Sequence, residues 1–338
     1  MRNICERLLL VMIATALVFS MVSNLPARAR HQNLRFEHGQ EAFRGGRKSR
    51  HRRLLHRKPK SEDARALFGA VELPSDQPSR SIGGPVLGCL AGAQRVPENG
   101  PHWQVMRLSR NRFWGHPTVI KFIERLSENA FAALGATSWT GLLVGDIAQP
   151  RGGPMLSGHA SHQIGIDTDI WFLPMPDHLL TPEERETLNS VDVLTTGTNK
   201  LDPQVWNLQR AQLVSTAAKD PAVDRIFVTP AIKQALCNAR SPDGTDTEWL
   251  RKIRPYYGHN YHFHVRLHCP QGEPCVEQKP PPSGDGCGLE VDEWLKKTAD
   301  VALPPSAEDH PRPKKPISLS RLPAACGGVL KAKERTDQ

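Results

Sequence analysis

Four histidines fall within fourteen residues, PYYGHNYHFHVRLH from Pro255 to His268: His259, His262, His264 and His268. From Tyr261 onward polar and apolar residues alternate, which is the period of a half-buried β-strand. Residues i and i+2 of a strand share a face. His262 and His264 therefore project together, while Phe263, Val265 and Leu267 face a core. Neutral imidazole is the commonest metal ligand, and two of them on one face suit a transition metal that draws its other ligands from elsewhere. Residues 157–171, SGHASHQIGIDTDIW, supply candidates: His159 and His162 on a loop, then Asp167 and Asp169 on one face of a following strand. Two nitrogens and one oxygen are the donor set of a hydrolytic zinc site, whose fourth position is left to water. Zinc lowers the pKa of such a water to about 7 and polarises a carbonyl. His262, beside His264, stands where it would take the water's proton and return it to a leaving amine. Spacing alone does not choose between Asp167 and Asp169 as ligand. Nor does it decide whether His159 is a ligand or a neighbour that orients one. His259 fits either a hydrogen bond in its turn or a role at the site. His268 and His116 read as surface or structural, and Trp103, Trp114 and Trp171 as core or groove wall.

These side chains need elements to hold them. Residues 117–134 carry apolar side chains at helical spacing, with proline at the start and Gly135 at the end. Residues 142–147 read as a short buried strand, and 164–172 as a second strand by alternation. Residues 181–189, TPEERETLN, open as a capped helix with acidic residues near its positive end. Residues 203–219 predict another helix, and 230–237 and 248–253 shorter helical pieces, before the strand at 261–268. Residues 61–85 are rich in Pro, Ser and Gly and read as a linker. The predicted class is α+β: a small, mainly antiparallel sheet flanked by helices, with a zinc site on the sheet and three disulfides.

Composition narrows the setting. Arg2 and Arg7, on either side of Glu6, precede an apolar run from Leu8 to Val22, and Ala27-Arg28-Ala29 follows. This is the three-part form of a secretory signal peptide over 1–29, and the apolar run is short for a membrane span. The formal net charge of +9 is unevenly placed: residues 28–60 hold twelve Lys or Arg against two Glu, residues 1–27 carry +1, and the remainder carries −2. An arm and linker over 30–81, poor in apolar residues, cannot offset the entropy of ordering. It reads as a tether drawn to an anionic membrane or cell-wall surface. A nearly neutral body behind an exported arm argues against nucleic acid. Of seven cysteines, Cys5 lies in the export segment, leaving Cys89, Cys237, Cys269, Cys275, Cys287 and Cys326. An even set in an exported chain implies three disulfides, for which sequence alone allows fifteen pairings. No spacing forms a CxxC pair, so the thiolates are not assigned to a metal. The domain reading places the functional unit at 82–288 and a Pro/Lys-rich tail, stapled back by Cys326, at 289–338.

His162-x6-Asp169 with a distant His262-x-His264 resembles the lysostaphin, D-Ala-D-Ala peptidase and hedgehog group of zinc proteins. Longer stretches are more specific. SGHASHQ-x-G-x-D-x-DIW, GH-x-x-H-x-HVRL-x-CP and PPPSGDGCG together resemble the penicillin-insensitive murein endopeptidases, as do LLVGDIAQP, RIFV-x-PAIKQ-x-LC (Arg225–Cys237) and WLRK-x-RP (Trp249–Pro255). The resemblance runs from about Ile82 to Gly288, with Cys326 as an outlying match. It implies zinc ligation by His162, Asp169 and His264, with His159 in the metal region, His262 as base and His259 supporting the oxyanion. It implies the pairs Cys89–Cys326, Cys237–Cys287 and Cys269–Cys275. It also implies a periplasmic enzyme that hydrolyses the D-alanyl–meso-diaminopimelyl amide of murein crosslinks and ignores β-lactams, having no serine to acylate. Some members hold a second zinc with an Asp-x-x-His pair. The corresponding stretch here, VLTTGTNKLDP (193–203), has no histidine, so one catalytic zinc is expected.

Two other functions share the ligand set: a zinc D,D- or L,D-carboxypeptidase that trims murein peptides, and a non-catalytic zinc-stabilised wall-binding module. A structural site is closed by a fourth protein ligand and has no use for His262 or His259. Their presence favours catalysis.

Overall fold

The computed structural model describes residues 63–135, 139–240, 245–299 and 315–336. The predicted signal peptide and the basic segment 28–60 lie outside these residues, while the predicted arm and linker over 30–81 is described from residue 63. The described residues belong to one compact unit, Arg57–Gln338. In chain order its elements are α1 (Ala64–Gly69), β1 (Arg80–Gly84), β2 (Leu87–Ala91), β3 (Gln94–Arg95), β4 (Asn99–Gly100), β5 (Trp103–Val105), β6 (Trp114–Gly115) and α2 (Pro117–Leu134). There follow β7 (Leu142–Val144), β8 (Asp167–Trp171), α3 (Pro182–Thr187), α4 (Leu208–Lys219), β9 (Val223–Val228), α5 (Pro230–Asn238), β10 (Ile253–Pro255), β11 (His262–Leu267), α6 (Leu289–Ala299) and α7 (Ala325–Lys331).

A seven-stranded sheet runs in the order β10-β9-β11-β8-β7-β5-β4. The β10/β9 and β5/β7 pairs are parallel and the others antiparallel. The predicted α+β class and mainly antiparallel sheet are both present. At its centre β11 lies beside β8, with His264 opposite Asp169 and Arg266 opposite Asp167. The two chemistry-bearing segments of the sequence are thus adjacent strands.

Local chemistry explains the frame. Helix α2 begins where the His116 side chain accepts from the Thr118 N–H and Pro117 takes the first turn; it stops at Gly135, whose φ is 80°. Its Val119, Phe122, Ile123, Leu126 and Ala130 are buried in the main core, each large side chain contributing about 1.5–3 kcal/mol by leaving water. Trp103, Trp114 and Trp171 are buried. His116 is not a surface residue: it caps α2 and its Nε2 lies 2.8 Å from Glu273. His268 sits half-exposed beside Glu277.

Several boundaries differ from the sequence reading. Strand β8 begins at Asp167 and not at 164, because Gly165 takes φ 73° and gives its carbonyl to the His116 N–H. The first strand of the pair stops at Val144 and not at 147, although the Gly145 N–H still donates to the Asp169 carbonyl. Helix α4 starts at Leu208 and not at 203, because Asn207 caps it by accepting from the Arg210 N–H. The stretch read as a linker holds α1 and β1. Ala64 and Phe68 are buried with Ile82, Cys89, Leu322, Cys326 and Val329 in a second, smaller core. That burial depends on partners at the far end of the chain, which local composition does not register.

The three cysteine pairs are those the resemblance implied: Cys89–Cys326, Cys237–Cys287 and Cys269–Cys275. The first fastens α7 to β2. Beside it, buried Arg151 donates from Nη1 to the carbonyls of Val329, Leu330 and Ala332 at 2.8, 2.8 and 3.0 Å, and from Nε to that of Leu73 at 3.2 Å. A cation thereby meets carbonyls at the negative end of α7. The Arg151 carbonyl accepts from the Leu90 N–H of β2.

Candidate metal centre

Strands β8 and β11 and the loop before β8 bring His159, His162, Asp169, His262 and His264 together. His162, Asp169 and His264 are buried, while His159 and His262 are half-buried. His162, His159 and Asp169 each present a donor atom, all within 4.8 Å of one another. Nδ1 of His264 stands 2.9 Å from Nε2 of His162 and 3.1 Å from Oδ1 of Asp169. Nε2 of His162 is 3.4 Å from the same oxygen and Nε2 of His262 is 3.6 Å from it. Three imidazoles therefore surround one buried carboxylate oxygen that has no well-formed hydrogen bond among the described residues.

The tautomer of His162 follows from its partner. Nδ1 lies 2.6 Å from the Ile147 carbonyl, and a carbonyl only accepts, so Nδ1 carries the proton. Burial, and after it the neighbouring His159 and His264, outweigh Asp169 and push the imidazole down to about 4. At neutral pH the ring is uncharged, and Nε2 turns a bare lone pair to the cluster. His162 adopts φ 65°, in the left-handed region. Its N–H donates to Oδ2 of Asp167 at 2.8 Å, which helps hold that backbone.

Asp167 and Asp169 share a face of β8, but their surroundings separate them. Asp167 accepts from Nε and Nη2 of Arg266 at 2.7 and 3.1 Å, and its Oδ1 lies 3.5 Å from Nε2 of His264. Burial would raise its carboxyl; the charges of Arg266 and His264 outweigh burial and hold it well below the usual range. Its oxygens are committed to orienting others. Asp169 has no guanidinium; burial would raise its carboxyl too, and the surrounding His262, His162 and His159 hold it low. On this geometry Asp169 is the free-facing carboxylate and Asp167 supports His264 from behind. A histidine with one nitrogen toward a metal and the other toward a carboxylate is the usual arrangement of metal sites.

His262 projects from the same face of β11 as His264, as the alternation predicted. His259, in the turn before the strand, has its ring centroid 5.3 Å from that of His262 and 5.9 Å from that of His264. Burial, then His262 and His264, hold its pKa well below the ordinary value, so it stays neutral. Tyr256 lies at its other side, 5.8 Å between centroids.

Two supporting groups were missed in the sequence. Arg266 follows His262 and His264 at the same two-residue spacing on β11, so the strand period could have found it. Asp146, in LLVGDIAQP, is buried, and Oδ2 lies 3.0 Å from Nε2 of His159 and 2.9 Å from Nη1 of Arg112. Burial would raise its carboxyl, but His159, Arg112 and Arg110 hold it below the usual range.

The residues present fit a transition metal: an unprotonated imidazole nitrogen, a second imidazole backed by a carboxylate, and a buried carboxylate oxygen, all from rigid strands or a braced loop. The fold and cluster thus define a candidate metal centre on a mixed sheet. Comparison with known proteins adds the family. A family model described as penicillin-insensitive murein endopeptidase matches residues 81–331. The penicillin-insensitive murein endopeptidase of Haemophilus influenzae is 46% identical over 230 residues, 66% of this chain and 76% of the relative. That of Klebsiella pneumoniae subsp. pneumoniae is 39% identical over 261 residues, 77% of this chain and 89% of the relative. One from Yersinia pestis bv. Antiqua is 41% identical over 239 residues, 68% of this chain and 84% of the relative. The chain belongs to the penicillin-insensitive murein endopeptidase family.

Proposed function

We propose that the protein is a zinc-dependent endopeptidase that hydrolyses the D-alanyl–meso-diaminopimelyl amide of murein crosslinks in the periplasm and is indifferent to penicillin. Family membership supports the substrate class. The observation that carries the metal is the buried Oδ1 of Asp169, ringed by three imidazoles without a well-formed hydrogen bond. His162 through Nε2, His264 through Nδ1 and Asp169 through Oδ1 would hold the ion, with His159 at its edge. A nitrogen-rich set with one carboxylate suits zinc. Zinc bound there supplies Lewis acidity and a water of lowered pKa.

The chain's own residues do the rest. His262 accepts the proton of the attacking water and passes it to the leaving amine. His259, neutral and close by, donates a hydrogen bond to the carbonyl oxygen as negative charge develops on it. A single metal is proposed because the stretch 193–203 has no histidine to pair with a carboxylate.

The test is digestion of purified crosslinked murein with products read by mass. Dimers should fall to monomers, with activity lost to a chelator, restored by zinc and unchanged by penicillin. Release of only a terminal D-alanine would replace this reading with a carboxypeptidase. A zinc-loaded, folded protein that leaves every murein peptide intact would replace it with a binding module.

A further inference from the structure

Asp146 lies two residues past the end of β7 and touches the site from two directions. Through its backbone, its carbonyl accepts from the Asp169 N–H at 3.1 Å, and the neighbouring Gly145 N–H donates to the Asp169 carbonyl at 2.8 Å. Through its side chain, Oδ2 meets Nε2 of His159 at 3.0 Å, Nη1 of Arg112 at 2.9 Å and Nη1 of Arg110 at 3.5 Å. Both guanidiniums can only donate, so the Asp146 Oδ2 that they share with His159 is an acceptor. The proton of His159 is therefore on Nε2 and its lone pair on Nδ1. Nε2 also lies 3.5 Å from Oδ2 of Asp169, which makes His159 a bridge between the two carboxylates. Arg112 braces the same loop independently: Nη2 reaches the carbonyl and hydroxyl of Ser157 at 3.3 and 3.1 Å. Gly158 between them has φ 73°, and a Cβ there would stand 3.2 Å from the Arg112 guanidinium. The loop is thus pinned on both sides of Gly158, and the pin on its histidine is Asp146.

We propose that Asp146 is a positioning residue for metal retention: it acts through His159, fixing that ring's tautomer and place beside Asp169, with Arg112 holding Asp146 in turn. This rests on the metal-centre reading above. Carboxylates that orient metal-site histidines typically contribute about 10- to 100-fold in metal affinity, and this one is 34 residues from Arg112 and 13 from His159 in sequence.

The experiment is zinc titration of the full protein against a competing chelator, together with the visible spectrum of the cobalt-loaded form. Asp146→Asn should raise the zinc Kd by about 10- to 100-fold and alter the cobalt bands. Combined with His159→Ala, it should add nothing to the larger single loss, because both act through one ring. Should Asp146→Asn fail to fold, Arg112→Lys decides instead. It keeps the charge but loses the fork that spans Asp146 and Ser157, and should weaken zinc binding by several-fold with a shifted cobalt spectrum. Wild-type affinity and an unaltered spectrum in the folded variant, or losses that multiply in the double variant, overturn the proposal. Tight zinc binding by a wild-type protein that does not cleave murein would sink the enzymatic reading while leaving this one standing. A wild-type protein that binds neither metal overturns both.

Discussion

His262 and His264 leave the same face of one strand, two residues apart, and their removal should do different things. His264→Ala removes a nitrogen that faces His162 and Asp169, so metal content, read by atomic absorption, and turnover should fall together. His262→Ala should keep the metal and lose about 10²- to 10⁴-fold in turnover; full activity in that variant would refute its assignment as base. Asp167→Asn should act on stability as well as affinity. It would strip the buried Arg266 of its carboxylate, a change worth about 3–5 kcal/mol when a buried pair loses one partner, read from the urea midpoint. The sequence made the histidines legible because a period of two is a local property. The choice between Asp167 and Asp169 was not legible from spacing, since both face the same way. It is made by Arg266, brought opposite Asp167 by the register of β11 on β8, and register is a property of two strands. Asp146 was visible only as part of a matched motif, because its partners come from three separate segments.

The elements divide along the same line. Helix α2 could be read almost to the residue, since its caps and apolar stripe lie within its own span. Helices α1 and α7 could not, because each is stabilised by the other's neighbourhood and by Cys89–Cys326, separated by 237 residues. Replacing both of those cysteines with serine should cost about 2–5 kcal/mol, seen as a lower thermal midpoint under non-reducing conditions. Helix α5 carries a different strain. Lys233 is fully buried, donating from Nζ to the carbonyls of Leu250 and Asp285 at 2.7 and 2.6 Å. Burial, with Arg254 beside it, pushes the amine from 10.5 down to about 8. Between those two values the unfolded chain holds more protons than the folded one, so this group's contribution to stability rises with pH across the window. The slope is at most about 1.4 kcal/mol per pH unit. Lys233→Met should remove that rise. Denaturant midpoints measured below the window and inside it, for both proteins, check it; equal differences would assign the effect elsewhere.

At the scale of the whole molecule, charge is segregated: the segment 28–60 is strongly basic and the remainder from 61 onward carries −2. A cationic segment is attracted to polyanions at a range set by salt, about 8 Å at physiological ionic strength. Sedimentation with anionic murein should therefore weaken steeply as salt is raised for the chain that retains 28–60, and hardly at all for the chain starting at residue 61. Both should cleave small, soluble crosslinked peptides equally. A salt-independent association in the longer chain would remove the arm from consideration.

Arg151 imposes an order in time. It stands in the segment that runs toward His159 and His162, yet the three carbonyls that its Nη1 meets, at Val329, Leu330 and Ala332, come 178 to 181 residues later. A ribosome makes the amino terminus first, so those carbonyls, and Cys326 beside them, are made after every candidate ligand. Until then Nη1 of this buried guanidinium lacks those three acceptors, and only its Nε has one, the Leu73 carbonyl. The contact between Arg151 and the carbonyls of α7 is consequently made after every candidate ligand: a polypeptide that stops short of Val329 carries all of them and still lacks it.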